Sequence, residues 1–176
     1  MIFLITGASY IGKTFLSQKM LEKYKIPYLS IDYLKMGLIR SKQTDLTPED
    51  DDKLTIYLWP IVKEIIKTAI ENKQNLIVEG CYVPFNFRKD FDKKYLDEIN
   101  FICLAMTDTY INNHFNDIVF HSEDVEKRIY NQCNIEDIKI ENKKVINGFK
   151  NAGEKIVMID NSYIETINLL LQKYIC

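Results

Sequence analysis

The stretch GASYIGKT, Gly7 to Thr14, directly follows the apolar run MIFLIT, and it constrains the chain more than any other feature. Gly7 and Gly12 bracket four residues, and Lys13 and Thr14 follow at once. Such spacing lets the backbone curl until successive N–H groups point at one anion, with a helix N-terminus adding positive potential. Lys13 is then placed to reach the outer phosphates, and the Thr14 hydroxyl to ligate Mg²⁺. The competing explanation is a glycine turn between two elements. The motif's context favours the phosphate cradle, because it needs a strand before and a helix after. Gly7, Ala8, Ser9, Tyr10, Ile11, Gly12, Lys13 and Thr14 are therefore the expected phosphate-binding residues.

Composition narrows the partners. The 176 residues suit one domain with a core of its own, and the net charge is only −2 with both signs mixed along the chain. No basic arm or polybasic patch suggests nucleic acid or a membrane surface. Cys81, Cys103, Cys133 and Cys176 are scattered without a CxxC pair, which disfavours a metal cluster or disulfide framework and suits a reducing cytoplasm. The run MIFLIT is too short to span a membrane and carries no basic leader, so a soluble, cytoplasmic protein is expected.

Strands and helices alternate. Ile2 to Thr6, Ile26 to Ile31, Asn75 to Gly80, Ile99 to Met106 and Lys155 to Asp160 read as strands. Between them lie amphipathic stretches, one ending near Tyr24 and one carrying Leu54, Leu58, Ile61, Ile65 and Ala69 on a single face. Thr47-Pro48-Glu49-Asp50 predicts the start of that second helix, and Pro60 predicts a kink or a split in it. Asp108 to Gly148 reads as mostly helical, with breaks expected near His121-Ser122 and around Cys133 to Ile135. The alternation predicts a three-layer α/β fold around a parallel sheet.

Two carboxylates sit near strand ends, where open α/β sheets collect ligands. Asp32 is expected to close the second strand, oriented to deprotonate an attacking hydroxyl; its bland alternative is a helix N-cap. Glu79 closes the third strand, suited to hold Mg²⁺ through its water shell. A guanine-nucleotide switch is disfavoured, because neither Asn72-Lys73 nor Asn142-Lys143 leads to the required Asp. The aromatics Tyr82, Phe85, Phe87 and Phe91 are read as packing their connection onto the sheet, with an acceptor-pocket wall as the alternative, and His114, His121 and the run Glu49 to Asp52 as solvated surface.

The combination of GASYIGKT, SIDYLKMGLIR and LIVEGCYVP resembles the adenylate-kinase-like branch of P-loop kinases, and within it small-molecule kinases. Chloramphenicol phosphotransferase, shikimate kinase, zeta-toxin-type and 2-phosphoglycerate-kinase-labelled proteins share this layout. The resemblance implies a five-stranded parallel sheet of order 2-3-1-4-5, helices on both faces and a helical lid within about 108–150 of a single 1–176 domain. It also implies ATP and Mg²⁺ as cofactors, Asp32 as the catalytic carboxylate, Arg40 and Arg88 as acceptor-binding cations, and Arg128 as the lid arginine. The stretch GCYVPFNFRKDF departs from the adenylate-kinase pattern, and His121 to Gln132 holds one arginine only. The expected activity is transfer of the ATP γ-phosphate to a hydroxyl of a small molecule, by a monomer or homodimer. A nucleoside monophosphate kinase and a non-catalytic ATP-binding or regulatory protein are the alternatives.

Overall fold

The computed structural model describes residues 1–125 and 133–173. Five strands, β1 (Ile2–Gly7), β2 (Tyr28–Ser30), β3 (Leu76–Glu79), β4 (Ile99–Met106) and β5 (Ile156–Ile159), form one parallel sheet of order β2-β3-β1-β4-β5. This is the expected order and fold class. β1 lies at the centre, pairing Ile2 to Ile5 with Leu76 to Glu79 and Ile2 to Gly7 with Ile99 to Leu104. All six of its residues are buried, which explains a run that is apolar without alternation.

Alternate residues of β1 feed two cores. Ile2 and Leu4 pack with α3 (Asp51–Glu71) and the segment after β3, through Leu54, Leu58, Val62, Tyr82 and Phe87. Phe3 and Ile5 face the opposite layer of α1 (Lys13–Tyr24), α5 (Asp108–Phe120) and α7 (Tyr163–Lys173). The remaining helices are α2 (Ile31–Arg40), the short α4 (Lys93–Leu96) and α6 (Ile135–Asn151), which sends Phe149 to the first core and Ile138 to the second. Each such fully buried side chain contributes roughly 1.5–3 kcal/mol.

Three local expectations need correction. The second strand stops at Ser30, so Asp32 stands in the first turn of α2 and does not close the strand. The long helix starts at Asp51, not at Pro48: the Asp50 carboxylate turns back to accept from the Thr47 amide and hydroxyl at 3.0 and 2.9 Å, closing a turn before the helix. Pro60 does not split α3, which runs unbroken over 21 residues. The carbonyl that loses its partner belongs to Ile56, which is 77% exposed, so water can satisfy it. The break at His121-Ser122 is present, as a 3₁₀ turn over His121–Glu123.

Candidate active site

The loop from Ala8 to Gly12 joins the carboxyl end of β1 to the start of α1. Tyr10 and Gly12 both take left-handed backbone conformations, φ 65° and 83°, and these curl the chain. Lys13 opens α1 and is only 7% exposed; its Nζ folds back to donate to the Ala8 carbonyl at 2.8 Å. Burial opposes its charge, but Cys81, Glu79 and Asp32 outweigh that and hold its pKa above the usual lysine value. Burial in turn pushes the Cys81 thiol up, against the pull of Lys13.

Glu79, the last residue of β3, is buried beside this loop and accepts from the Thr14 hydroxyl at 3.4 Å. The Thr6 hydroxyl donates to the Gly80 carbonyl at 2.9 Å, tying the ends of β1 and β3 together and fixing Glu79 against the loop. A hydroxyl and a carboxylate at this point form a hard-oxygen donor set. It fits Mg²⁺, which Thr14 and, through water, Glu79 would hold.

Asp32 reaches the same region from α2, but it is not alone. Lys35, one turn on, donates to Asp32 Oδ1 at 2.6 Å and to the Tyr82 hydroxyl at 2.9 Å. Tyr82 donates onward to Asp51 Oδ1 at 3.0 Å. Burial, then Asp32 and Asp51, push the Tyr82 phenol well above the usual tyrosine value, so it stays a donor. The chain Asp32–Lys35–Tyr82–Asp51 thus links the first turns of α2 and α3.

Two cavities meet at the loop. The larger, about 1150 Å³, is lined by Ser9, Asp32, Lys35, Arg40, Asp51, Asp52, Tyr82, Phe85, Glu141 and Lys144 among others. The smaller, about 430 Å³, is lined by Tyr10, Gly12, Phe15, Tyr110, His114 and Tyr163 among others. Lys13, Thr14 and Val125 line both. The Tyr163 hydroxyl donates to the Gly12 carbonyl at 3.0 Å, and its ring tilts against Phe15 at 5.8 Å.

Of the sequence-predicted residues, Lys13, Thr14, Asp32 and Glu79 gather at the loop, and Arg40 lines the larger cavity. Arg88 is not brought there. Its guanidinium is engaged by both carboxylate oxygens of Glu154, 66 positions on, and Arg88 is not among the residues lining either cavity. Arg128 lies outside the described residues. Asp51 and Asp52, read as solvated surface, are exposed and also border the larger cavity, where Lys144 pairs with Asp52 at 3.0 Å. His114 and His121 pair with Asp117 and Asp124 on the rim of the smaller one. Phe87 and Phe91 are core, packed edge-on against Trp59, whereas Phe85 faces the larger cavity.

Lys35, Glu141 and Lys144 carried no expectation of a role, whereas Tyr82 belonged to the aromatic cluster weighed between packing and an acceptor pocket. Only Lys35 had a local signal, three residues after Asp32 on the same helix face.

No family model and no curated relative matches the chain. Solved structures do. Shikimate kinase from Aquifex aeolicus superposes with a TM-score of 0.57 at 11% identity, covering 98% of this chain and 95% of that one. A sugar kinase from Janibacter sp. gives 0.56 at 13% identity, covering 97% and 92%. A gluconokinase from Sinorhizobium meliloti gives 0.50 at 10% identity, covering 97% and 93%. The chain has the fold of these P-loop kinases. At such identities the likeness carries the architecture alone, and the chemistry must be argued from the site. Among the described residues no helix is long and apolar enough to cross a membrane.

Proposed function

We propose that the protein is an ATP- and Mg²⁺-dependent kinase that transfers the γ-phosphate to a hydroxyl of a small molecule. The observation that carries this is the meeting of two cavities at Lys13 and Thr14. A nucleotide in the smaller, aromatic-walled cavity would run its phosphates along the loop. Its last phosphate would then emerge at the floor of the larger one, where Asp32 waits for an acceptor.

Each residue has a definable task. The amides from Tyr10 to Thr14 and the Lys13 ammonium neutralise phosphate charge that grows on transfer. Lys13 would leave the Ala8 carbonyl to do so, and its raised pKa keeps it charged. Asp32 accepts the hydroxyl proton and orients the oxygen for in-line attack. Mg²⁺, when bound at Thr14 and Glu79, supplies further charge neutralisation at the outer phosphates. Arg40 contributes a cation at the acceptor end, and Arg128 is assigned to the transferring group as the lid arginine. A reducing cytoplasmic setting suits Cys81, Cys103 and Cys133, none of which is joined in a disulfide among the described residues.

The deciding experiment is an ADP-release screen over a panel of sugars, hydroxy acids, amino alcohols and nucleoside monophosphates, with Lys13→Ala as blank. Lys13-dependent release with a non-nucleotide alcohol supports the proposal. Release with nucleoside monophosphates alone would make the protein a nucleotide kinase. ATP binding without release across the panel would leave a non-catalytic ATP-binding protein.

A further inference from the structure

The phosphate loop already holds an anion of the protein's own. Glu141, on α6, accepts a hydrogen bond from the Ser9 amide at 2.9 Å and another from the Ser9 hydroxyl at 3.1 Å, with the two residues 132 positions apart. Loop amides of this kind are oriented toward anions, so a carboxylate oxygen there makes the contact that a phosphoryl oxygen would make.

Ser9 also indicates which phosphoryl group is mimicked. It lines the larger, acceptor-side cavity and not the smaller one, whereas Tyr10, Gly12 and Phe15 line the smaller. Lys13 and Thr14 lie at the boundary. The phosphate that reaches past Lys13 toward Ser9 is the terminal one. Inner phosphates stay at the start of α1.

The carboxylate is delivered by a fixed helix. Asn142, next in sequence and fully buried, accepts from the Met106 amide at 3.1 Å and donates to the Met106 carbonyl at 2.7 Å, pinning α6 to the end of β4. Yielding the Ser9 amide therefore falls to rotation of the Glu141 side chain. No cation among the described residues forms an ion pair with Glu141; Lys144, one turn on, is paired with Asp52, and Lys13 with the Ala8 carbonyl.

We propose that Glu141 is an internal stand-in for the terminal phosphoryl group, and that its charge sets how the loop discriminates a nucleoside triphosphate from a diphosphate. A triphosphate must displace the carboxylate and then tolerate it nearby. A diphosphate leaves the Ser9–Glu141 contact intact. After transfer the carboxylate returns to the Ser9 amide as the phosphorylated acceptor leaves, which opposes re-entry of the new phosphate ester. The proposal rests on the nucleotide-binding half of the function above and needs no acceptor.

Calorimetric titration of β,γ-imido-ATP and of ADP, each with Mg²⁺, tests it on the wild type, Glu141→Gln, Glu141→Ala and the control Glu136→Gln on the exposed face of the same helix. Relief of one like-charge contact corresponds to a change in Kd on the order of tenfold. The expected result is triphosphate-analogue binding about tenfold tighter in both Glu141 variants, with ADP within about twofold of wild type and the control unmoved. Unchanged or weaker triphosphate-analogue binding overturns the proposal, and so does an equal shift for both nucleotides. Thermal melts of the four proteins guard against misfolding, and Glu141→Gln, which keeps shape and polarity, decides if the alanine variant melts early. Absence of any nucleotide binding overturns this proposal and the kinase function together. Nucleotide discrimination of the expected kind without ADP release on any acceptor would overturn only phosphoryl transfer.

Discussion

Lys35 Nζ lies 2.6 Å from Asp32 Oδ1, so the carboxylate assigned to the acceptor hydroxyl is held by a cation one helical turn away. Lys35 is only 12% exposed and Asp32 33%, which makes the pair less screened than a surface ion pair. Lys35 fixes the Asp32 rotamer and is itself fixed by the Tyr82 hydroxyl. Lys35→Met is expected to lower acceptor kcat/KM by about 10- to 100-fold, or about 1.4–2.7 kcal/mol, with nucleotide Kd within about twofold. Asp32→Asn is expected to lose more of kcat while also keeping nucleotide binding. Full turnover in the Asp32 variant, measured by ADP release, would remove the role given to that residue.

The 3.4 Å contact between the Thr14 hydroxyl and Glu79 makes a separate prediction about the metal. On the proposed Mg²⁺ site, Thr14→Ala would remove the direct ligand and Glu79→Gln would remove charge from the water shell. Both are expected to raise the Mg²⁺ concentration for half-maximal ADP release by about tenfold or more. Metal titrations at saturating nucleotide check this. A Mg²⁺ requirement unchanged in both variants would place the metal elsewhere.

Two thiols near Lys13, the half-buried Cys81 and the buried Cys103, give a chemical test of its environment. Burial pushes both Cys81 and Cys103 above the usual thiol range, Cys103 to about 12. A raised pKa means little thiolate at pH 8, and thiolate is the reactive form. Alkylation of the native protein at pH 8, followed by peptide mass analysis, should modify Cys133 well before the fully buried Cys103, and before Cys81, which is half-buried like Cys133 but has a raised pKa. Early labelling of Cys81 would contradict the raised pKa assigned to it beside Lys13.

What the sequence made legible was local or periodic. The buried run of β1, the glycine spacing of the loop and the terminal position of Glu79 on β3 are each written in a few adjacent residues. The position of Asp32 was off by one element because IPYLSI and the helix after it share apolar residues: Ile31 serves as the first residue of α2 while still packing in the core. Arg88 was unreadable for a different reason. Its partner Glu154 is 66 positions away, so nothing near Arg88 announces that its fork is taken. Glu141 is the extreme case, a carboxylate on a polar helix face whose significance depends on a loop 132 residues earlier.

Asn142 tests how α6 is anchored. It is fully buried, and both of its hydrogen bonds go to the backbone of Met106 at the end of β4. Asn142→Leu keeps approximate volume but strands one buried N–H and one buried carbonyl, each costing about 1–3 kcal/mol. A loss of about 2–5 kcal/mol of stability by denaturant unfolding is expected. A loss below about 1 kcal/mol would mean that Met106 finds other partners.

Gly12 is where fold and function constrain the same atom. Its φ of 83° already disfavours an L side chain, and a Cβ built there would collide with the Tyr163 hydroxyl and lie 2.6 Å from the ring carbon that bears it. Strain at a left-handed position costs of order 1 kcal/mol, and displacing Tyr163 adds the loss of its bond to the Gly12 carbonyl and of its contact with Phe15. Gly12→Ala is therefore expected to lose about 2–3 kcal/mol of stability and most nucleotide affinity. Tyr163→Phe, which removes only the hydroxyl, should lose about 1 kcal/mol and leave nucleotide binding within about threefold. The double variant Gly12→Ala with Tyr163→Ala separates the two causes, because it removes the collision and keeps the backbone strain. Recovery of stability without recovery of nucleotide binding would mean that the left-handed turn at Gly12 is what shapes the phosphate cradle; recovery of both would assign the defect to Tyr163.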